Sequence, residues 1–391
     1  MKNSVCNGVI IVVQLLFVLA LCSCGDQGVV VDVDNVELVE LNEENSDIRI
    51  VPIKCSFPMD DIIRCVGYDD YIFMLGMSRK QIYCIEGDSV VSVLDASGRG
   101  HGEYSYINDF TYSATEKSLY VQGDGRFYQY SVPSMSFIRS FESEVTPGGM
   151  IVLNPNEILM KCSYKERKEE VYRGVCVVSS HTGEVIKKCR DFEFINTQWF
   201  MHRDLSVYDQ GVLYPVNSFN NNDLVFYDTE SEKEEKVFSF SYNSKWRIPR
   251  RLVKLSHKDP LFFSREYNER ELYCEGCHYP AFINSRLTFW SFPRENDVVK
   301  SVVTIIKDDK PVSRSFKVSG TEMTPSPYYI NGIYCVDIIK SLDDIEIIDP
   351  NNASSLALEL NRIVKAQQFD NPVLLCFTVD KWLNENEENG I

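Results

Sequence analysis

The chain has 391 residues, 44% of them hydrophobic and 25% charged, with 57 Asp and Glu against 40 Lys and Arg for a formal net charge of −17. A surface that acidic repels phosphate backbones, which excludes nucleic acid as the expected partner. The length exceeds what one core usually supports, leaving either two domains or one fold that grows by repetition.

At the N-terminus, Lys2 precedes an apolar stretch from Val9 to Leu21 broken only by Gln14. This is the core of a signal peptide. About 13 residues rise only ~20 Å as a helix, short of the ~30 Å hydrocarbon core, so export is expected rather than a permanent span. The stretch runs into Leu21-Cys22-Ser23-Cys24, which resembles the bacterial lipobox, with Leu three residues before the cut, small Ser just before it and Cys just after. Cys22 is a poorer acceptor, because bulky Leu21 would stand before it. Residues 1–23 therefore read as a lipoprotein signal peptide and Cys24 as the lipidated residue; an ordinary signal peptide with incidental cysteines is the competing reading. Lipoproteins of this type carry two acyl chains on the cysteine and a third on its amine, a stable anchor where one chain is not. Gly25 rather than Asp follows Cys24, compatible with sorting to the outer membrane, facing the periplasm or the cell surface.

Residues 24–47 are acidic and polar apart from the run Val29 to Val33, and read as a spacer between lipid and domain. From Ile48 the pattern becomes short β-branched and aromatic strands separated by Asn, Asp, Gly and Ser turns. Tight turns at Tyr68-Asp69-Asp70, Ser113 to Ser118, Asn154-Pro155-Asn156, Tyr208 to Gly211, Asn284-Ser285 and Asn331-Gly332 each precede a strongly apolar strand. Those strands centre on Ile72, Leu119, Ile158, Leu213, Leu287 and Ile333, at intervals close to a propeller blade of roughly 40 to 50 residues, with insertions in the fourth and fifth units. A third and a fourth strand follow in each unit, as Gln81 to Ile85 and Val90 to Leu94 do in the first. In the last unit they are expected at Asp344 to Ile348 and Pro372 to Val379, with Ile48 to Ile53 pairing there to close the ring. Residues 48–391 are thus expected to form one all-β domain, a six-bladed β-propeller of four-stranded antiparallel blades. Leu356, Leu360, Ile363 and Val364 recur at helical spacing, so Ala353 to Phe369 reads as a helix inserted in the last blade, ended by Asn371-Pro372.

Thirteen cysteines in an exported chain raise the question of a disulfide framework. Cys65, Cys84, Cys162, Cys176, Cys335 and Cys376 each lie within a β-patterned apolar run, where cysteine packs as a small hydrophobe.

Two stretches carry a family resemblance. Leu94-Asp95-Ala96-Ser97-Gly98-Arg99-Gly100-His101-Gly102-Glu103-Tyr104, followed by Ile107-Asn108-Asp109-Phe110 and Leu119-Tyr120-Val121, resembles the blade-joining loop of the six-bladed β-propeller lipoproteins of Bacteroidales, themselves similar to NHL-repeat proteins. Asp370-Asn371-Pro372-Val373-Leu374-Leu375 resembles the closing strand of the same family. His101 departs from the more usual Pro. The resemblance implies an architecture and no defined activity.

Gly98, Gly100 and Gly102 alternate as in a phosphate-cradling loop, but such loops need a helix N-terminus directly after them and here a strand follows. They read instead as a sharp crossing between blades, with Arg99, His101 and Glu103 as the alternative ligand groups. Cys274-Glu275-Gly276-Cys277-His278 fits the attachment pattern of c-type haem. It sits in an insertion of the fifth unit, and a Cys274/Cys277 redox pair or incidental cysteines compete with the haem reading. His-Glu-x-x-His and Gly-x-Ser-x-Gly are missing, and the five histidines form no cluster with Asp. No cofactor or metal is therefore expected. A propeller enzyme of hydrolase or lyase type is the alternative, and it requires acidic or His side chains converging in the central channel.

The loops from second to third strands and from each fourth strand to the next blade share one face. That crossing face is expected to collect Arg79, Arg99, His101, Glu103, Trp199, His202, Trp246, Arg247 and Arg250, residue types of binding hot spots and sugar stacking. The competing reading has Trp199 and Trp246 plugging the channel mouth or covering strand ends. The expected partners are the membrane, through lipid, and a glycan, peptide or protein at this face.

Overall fold

The computed structural model describes residues 29–41, 47–191, 205–254, 272–339 and 354–377, excepting single positions or short stretches inside the last four ranges. The strands form successive four-stranded antiparallel blades around a ring. Blade 1 runs Ile62–Tyr68, Tyr71–Gly76, Ile82–Glu86 and Ser89–Leu94 from axis to rim, and blade 2 runs Asp109–Ser113, Ser118–Gly123, Arg126–Ser131 and Phe137–Glu142. Blade 3 comprises Pro147–Asn154, Glu157–Arg167, Glu170–Ser179 and Val185–Asp191. Blade 4 comprises Ser206–Tyr208, Gly211–Ser218, Asn221–Asp228 and Lys233–Tyr242, and blade 5 Leu272–Ile283, Arg286–Glu295, Val302–Lys307 and Lys310–Val318. Most strands are rich in β-branched and aromatic residues and end at turns, which is why the chain folds back on itself at this interval.

A lone blade cannot hide both of its apolar faces; stacking against a neighbour hides them. Among the described residues, a buried cluster fills each seam. Phe73, Phe110 and Tyr128 lie between blades 1 and 2, Tyr120, Phe127 and Ile158 between 2 and 3, and Leu159, Tyr214 and Tyr227 between 3 and 4. Each such side chain contributes about 1.5–3 kcal/mol when fully buried.

Blade 6 closes the ring and departs in detail from expectation. Tyr328–Ile330 and Tyr334–Ile339 are its first two strands, and Val373–Phe377 pairs directly with Tyr334–Ile339. The C-terminal strand expected in fourth place is therefore third, and Ile48–Pro52 pairs antiparallel beyond it as the outermost strand. Asp344 to Ile348 lies outside the described residues. Asn371 holds the closure, accepting from the Met59 amide at 2.8 Å and donating to the Phe57 carbonyl at 3.3 Å. The helix spans Ser355–Ala366 between the second and third strands of this blade, capped by Ser354, whose side chain accepts from the Ala357 amide. Its Leu356 and Leu360 complete the core between blades 5 and 6.

The stretch expected to be a spacer is paired. Val29–Val31 runs parallel to the rim strand of blade 4, and Glu37–Leu41 runs parallel to that of blade 5. Between them a 3-10 turn, Val33–Asn35, is capped by Asp32. Val31 and Val33 drop into the seam between blades 4 and 5 beside Leu213, Phe240, Trp246 and Val302. Val31 is buried and Val30 exposed, as alternate residues of a strand are, and Val33 is buried at the start of the 3-10 turn that follows.

Side chains latch two other seams at the rim. Arg139 of blade 2 donates to Gln129 at 2.6 Å and to the Ser180 carbonyl of blade 3 at 3.1 Å. Its Nη1 lies 2.9 Å from His181 Nδ1, and His181 Nε2 lies 3.1 Å from Asn156 Oδ1. A guanidinium only donates, so Nδ1 accepts and the ring proton sits on Nε2. Between blades 3 and 4, Arg190 and Tyr214 both donate to the Glu234 carboxylate.

Candidate functional site

The crossing face is built first by the loop from blade 1 to blade 2. Ser97 bridges to Tyr104, with the Gly98 amide donating to the Tyr104 carbonyl and the Tyr104 amide to Ala96. The Tyr104 side chain is buried, its hydroxyl donating to the Lys80 carbonyl at 2.8 Å, and burial pushes its pKa well up. Glu103 is exposed and folds back along its own loop, accepting from the Gly100 amide at 2.6 Å. The glycines follow from this. A Cβ on Gly98 would lie 1.9 Å from the Glu103 carboxylate, while Gly102 takes φ +77° with Phe137 packed where a Cβ would go. Only Gly102 among the three needs positive φ; Gly98 and Gly100 make room for Glu103. Glu103 is thus committed to its own loop.

Arg99 and His101 stay exposed, and the His101 ring stands edge-on to Phe137 at 4.9 Å. Arg79 joins them from the second-to-third loop of blade 1, in a left-handed turn (φ 57°) whose carbonyl accepts from the Ile107 amide. That bond places Met77 and Tyr106 on the same part of the face. Both are exposed, Met77 at 61% and Tyr106 at 44%. Neither residue was singled out in the sequence, since each lies beside an apolar strand or a buried tyrosine and carries no motif of its own. The available signal was position: Met77 follows Gly76, where the strand ends, and Tyr106 falls between the bridge at Tyr104 and the strand from Asp109.

Of the remaining expected residues, Trp246 and Arg247 are described. Trp246 is 2% exposed, packed in the seam of blades 4 and 5, with its Nε1 donating to Asp34 at 3.1 Å and Lys245 over its ring. It covers strand ends, the competing reading of its role, because an indole buried against Val31 and Phe240 contributes more than one in water. Arg247 is exposed, and its Nε donates to the Tyr242 carbonyl. Trp199, His202 and Arg250 lie outside the described residues, as does Cys24. Cys274, Cys277 and His278 lie in the strand Leu272–Ile283, with shifts of register between Cys274 and Cys277 and after His278, and their side chains are outside what is described.

Near the axis the inner strands are cross-linked by polar pairs. Buried Arg64 of blade 1 pairs with buried Asp109 of blade 2 and stacks over Phe110, and Tyr68 meets Thr111, whose hydroxyl accepts from the Val152 amide. An acid neutralised by a neighbouring guanidinium is a poor general acid or base. Among the described residues no group of three or more His, Cys, Asp and Glu side chains converges to hold a metal. Cys65, Cys84, Cys176 and Cys376 are buried and unbridged. Burial raises the Cys84 thiol to about 11, keeping it protonated and inert. A cleft of about 480 Å³ opens on the opposite face between blades 3 and 4, lined by Ile151, Val152, Leu153, Val207 and Val212 with Glu230 at its edge.

A ring of four-stranded antiparallel blades defines a β-propeller. The chain belongs to the 6-bladed beta-propeller family, whose model matches residues 22–283. No curated protein matches the sequence. Among solved structures, a Bacteroides fragilis protein whose name proposes that it is exported is similar in fold, with a TM-score of 0.65 at 12% identity over 89% of this chain and 98% of its own. The N-terminal domain of Nup159 matches at a TM-score of 0.41 and 12% identity over 80% of each chain. The WD40 domain of Neurospora crassa Pan2 matches at 0.38 and 9%, over 81% of this chain and 75% of its own.

Proposed function

We propose that this protein is an exported lipoprotein, resembling those of Bacteroidales with NHL-like blades, held at the outer membrane by lipid on Cys24. It binds a glycan, peptide or protein through the crossing face of blades 1 and 2 and carries out no chemistry of its own. The observation that carries the binding reading is the exposure of Met77 and Tyr106 beside Arg79, Arg99 and His101. Tyr, Met and Arg are enriched where surfaces are recognised, and loops on a rigid ring hold them without the cost of ordering a flexible segment. The export reading is supported by the apolar run Val9 to Leu21 and the lipobox ending at Cys24, and by the name of the Bacteroides fragilis neighbour.

The test is a glycan and peptide array probed with protein lacking residues 1–24. Tyr106→Ala and Arg99→Ala are each expected to weaken a genuine hit about tenfold or more, the loss of a typical hot-spot contact. Hits that survive both substitutions unchanged would remove this face from consideration.

A further inference from the structure

The N-terminal segment lies along the rim on one side of the ring only, first on blade 4 and then on blade 5. It is a strap, bonded through main chain along Val29–Val31 and Glu37–Leu41 and pinned between them by Val31, Val33 and the contacts of Asp34 with Lys245 and Trp246. Cys24 stands five positions before Val29. At ~3.6 Å per residue, that length of chain spans at most about 18 Å. A ring of this size is roughly 50 Å across, so the leash is much shorter than the body it holds.

We infer that the strap makes the rim of blades 4 and 5 the bilayer-facing side of the molecule. The partner of this rim is a phospholipid headgroup surface. In a six-membered ring, blades 1 and 2 stand opposite blades 4 and 5, so the crossing-face patch around Met77 and Tyr106 is carried to the side farthest from the membrane. The strap's own surface sets how closely the rim approaches. It exposes Val30 and Leu38, at 56% and 55%, between the acidic side chains of Asp32, Glu37 and Glu40. Two isolated aliphatics offer little area for insertion; Glu37 is ion-paired with Arg314, and Asp32 and Glu40 present carboxylates that anionic headgroups repel. The rim therefore stands off the surface at the length of its leash instead of embedding in it. This inference rests on the lipidation of Cys24 put forward above.

The experiment uses the full lipidated chain in vesicles of phosphatidylethanolamine and phosphatidylglycerol containing an acceptor-labelled lipid. A donor fluorophore is attached through an azide-bearing residue placed at Leu38 or, separately, at Val91 on the exposed rim of blade 1. Mass spectrometry of the N-terminal peptide first establishes whether Cys24 carries acyl chains, and a free cysteine there defeats the lipidation reading alone. With acylation present, energy transfer from position 38 is expected to exceed that from position 91 several-fold. Equal transfer from the two positions overturns the orientation while leaving lipidation intact. A second chain carries about twenty Gly and Ser residues inserted after Gly25, a flexible length of roughly 25 Å r.m.s.. Collapse of the difference in that chain supports the short leash as its cause, and persistence overturns it.

Discussion

Blades 2 and 3 are held at their rim by side chains, whereas blades 4 and 5 are held by a length of main chain. At the first seam Arg139 gathers Gln129, Ser180, His181 and Tyr120 around one guanidinium. At the second, Val31, Val33 and Trp246 fill the gap while the strap hydrogen-bonds to both rim strands. The difference is one of distribution. A latch concentrates its contribution in a few polar contacts that one substitution removes. A strap spreads it over backbone bonds and burial, so its most sensitive point is the bulkiest side chain beneath it.

The largest expected effect follows from that. Trp246→Ala leaves a cavity under the strap and leaves Asp34 without its indole partner, so stability should fall by about 3–5 kcal/mol in a urea unfolding series. A loss below about 1 kcal/mol would mean that the strap collapses into the space and is not rigidly seated. Arg139→Met deletes the hydrogen bonds together with the guanidinium that lies over Phe141, and about 1–3 kcal/mol is expected by the same assay. Should it match Trp246→Ala, the contrast between latch and strap would disappear. Asp34→Asn retains an acceptor for the Trp246 indole and removes only the half-exposed ion pair with Lys245. A change under about 1 kcal/mol is expected, shrinking further in high salt.

The sequence displayed the blades because their signal is local. A turn such as Asn154-Pro155-Asn156 followed by an apolar strand needs no partner to be recognised, and all five complete blades before closure have strands where turns and apolar runs put them. Closure was legible only in part. Ile48–Pro52 could be matched to the last blade, but its place outside Val373–Phe377 depends on a pairing between residues more than three hundred positions apart. The strap reads as a spacer because its acidic residues dominate composition, while the informative feature is the valine run Val29 to Val33, broken only by Asp32. At the candidate site the exposed Arg99 and His101 were readable from the loop. The folding back of Glu103 was not, since it depends on Gly98 and Gly100 making room, and the burial of Trp246 was legible only as the competing reading, its partners Asp34 and Val31 lying about two hundred positions away.

The pairing of Ile48–Pro52 with Val373–Phe377 also sets an order of events. A chain that emerges N-terminus first presents the rim strand of blade 6 at the start and must hold it idle until nearly every other residue has appeared. Blades 1 to 5 can stack as they arrive, but the ring stays open, with one apolar flank of blade 1 uncovered, until Leu374 and Cys376 reach Met74 and Tyr83. A chain stopped anywhere before position 373 therefore carries a waiting strand and an open flank, the two features that invite pairing with another unfinished copy.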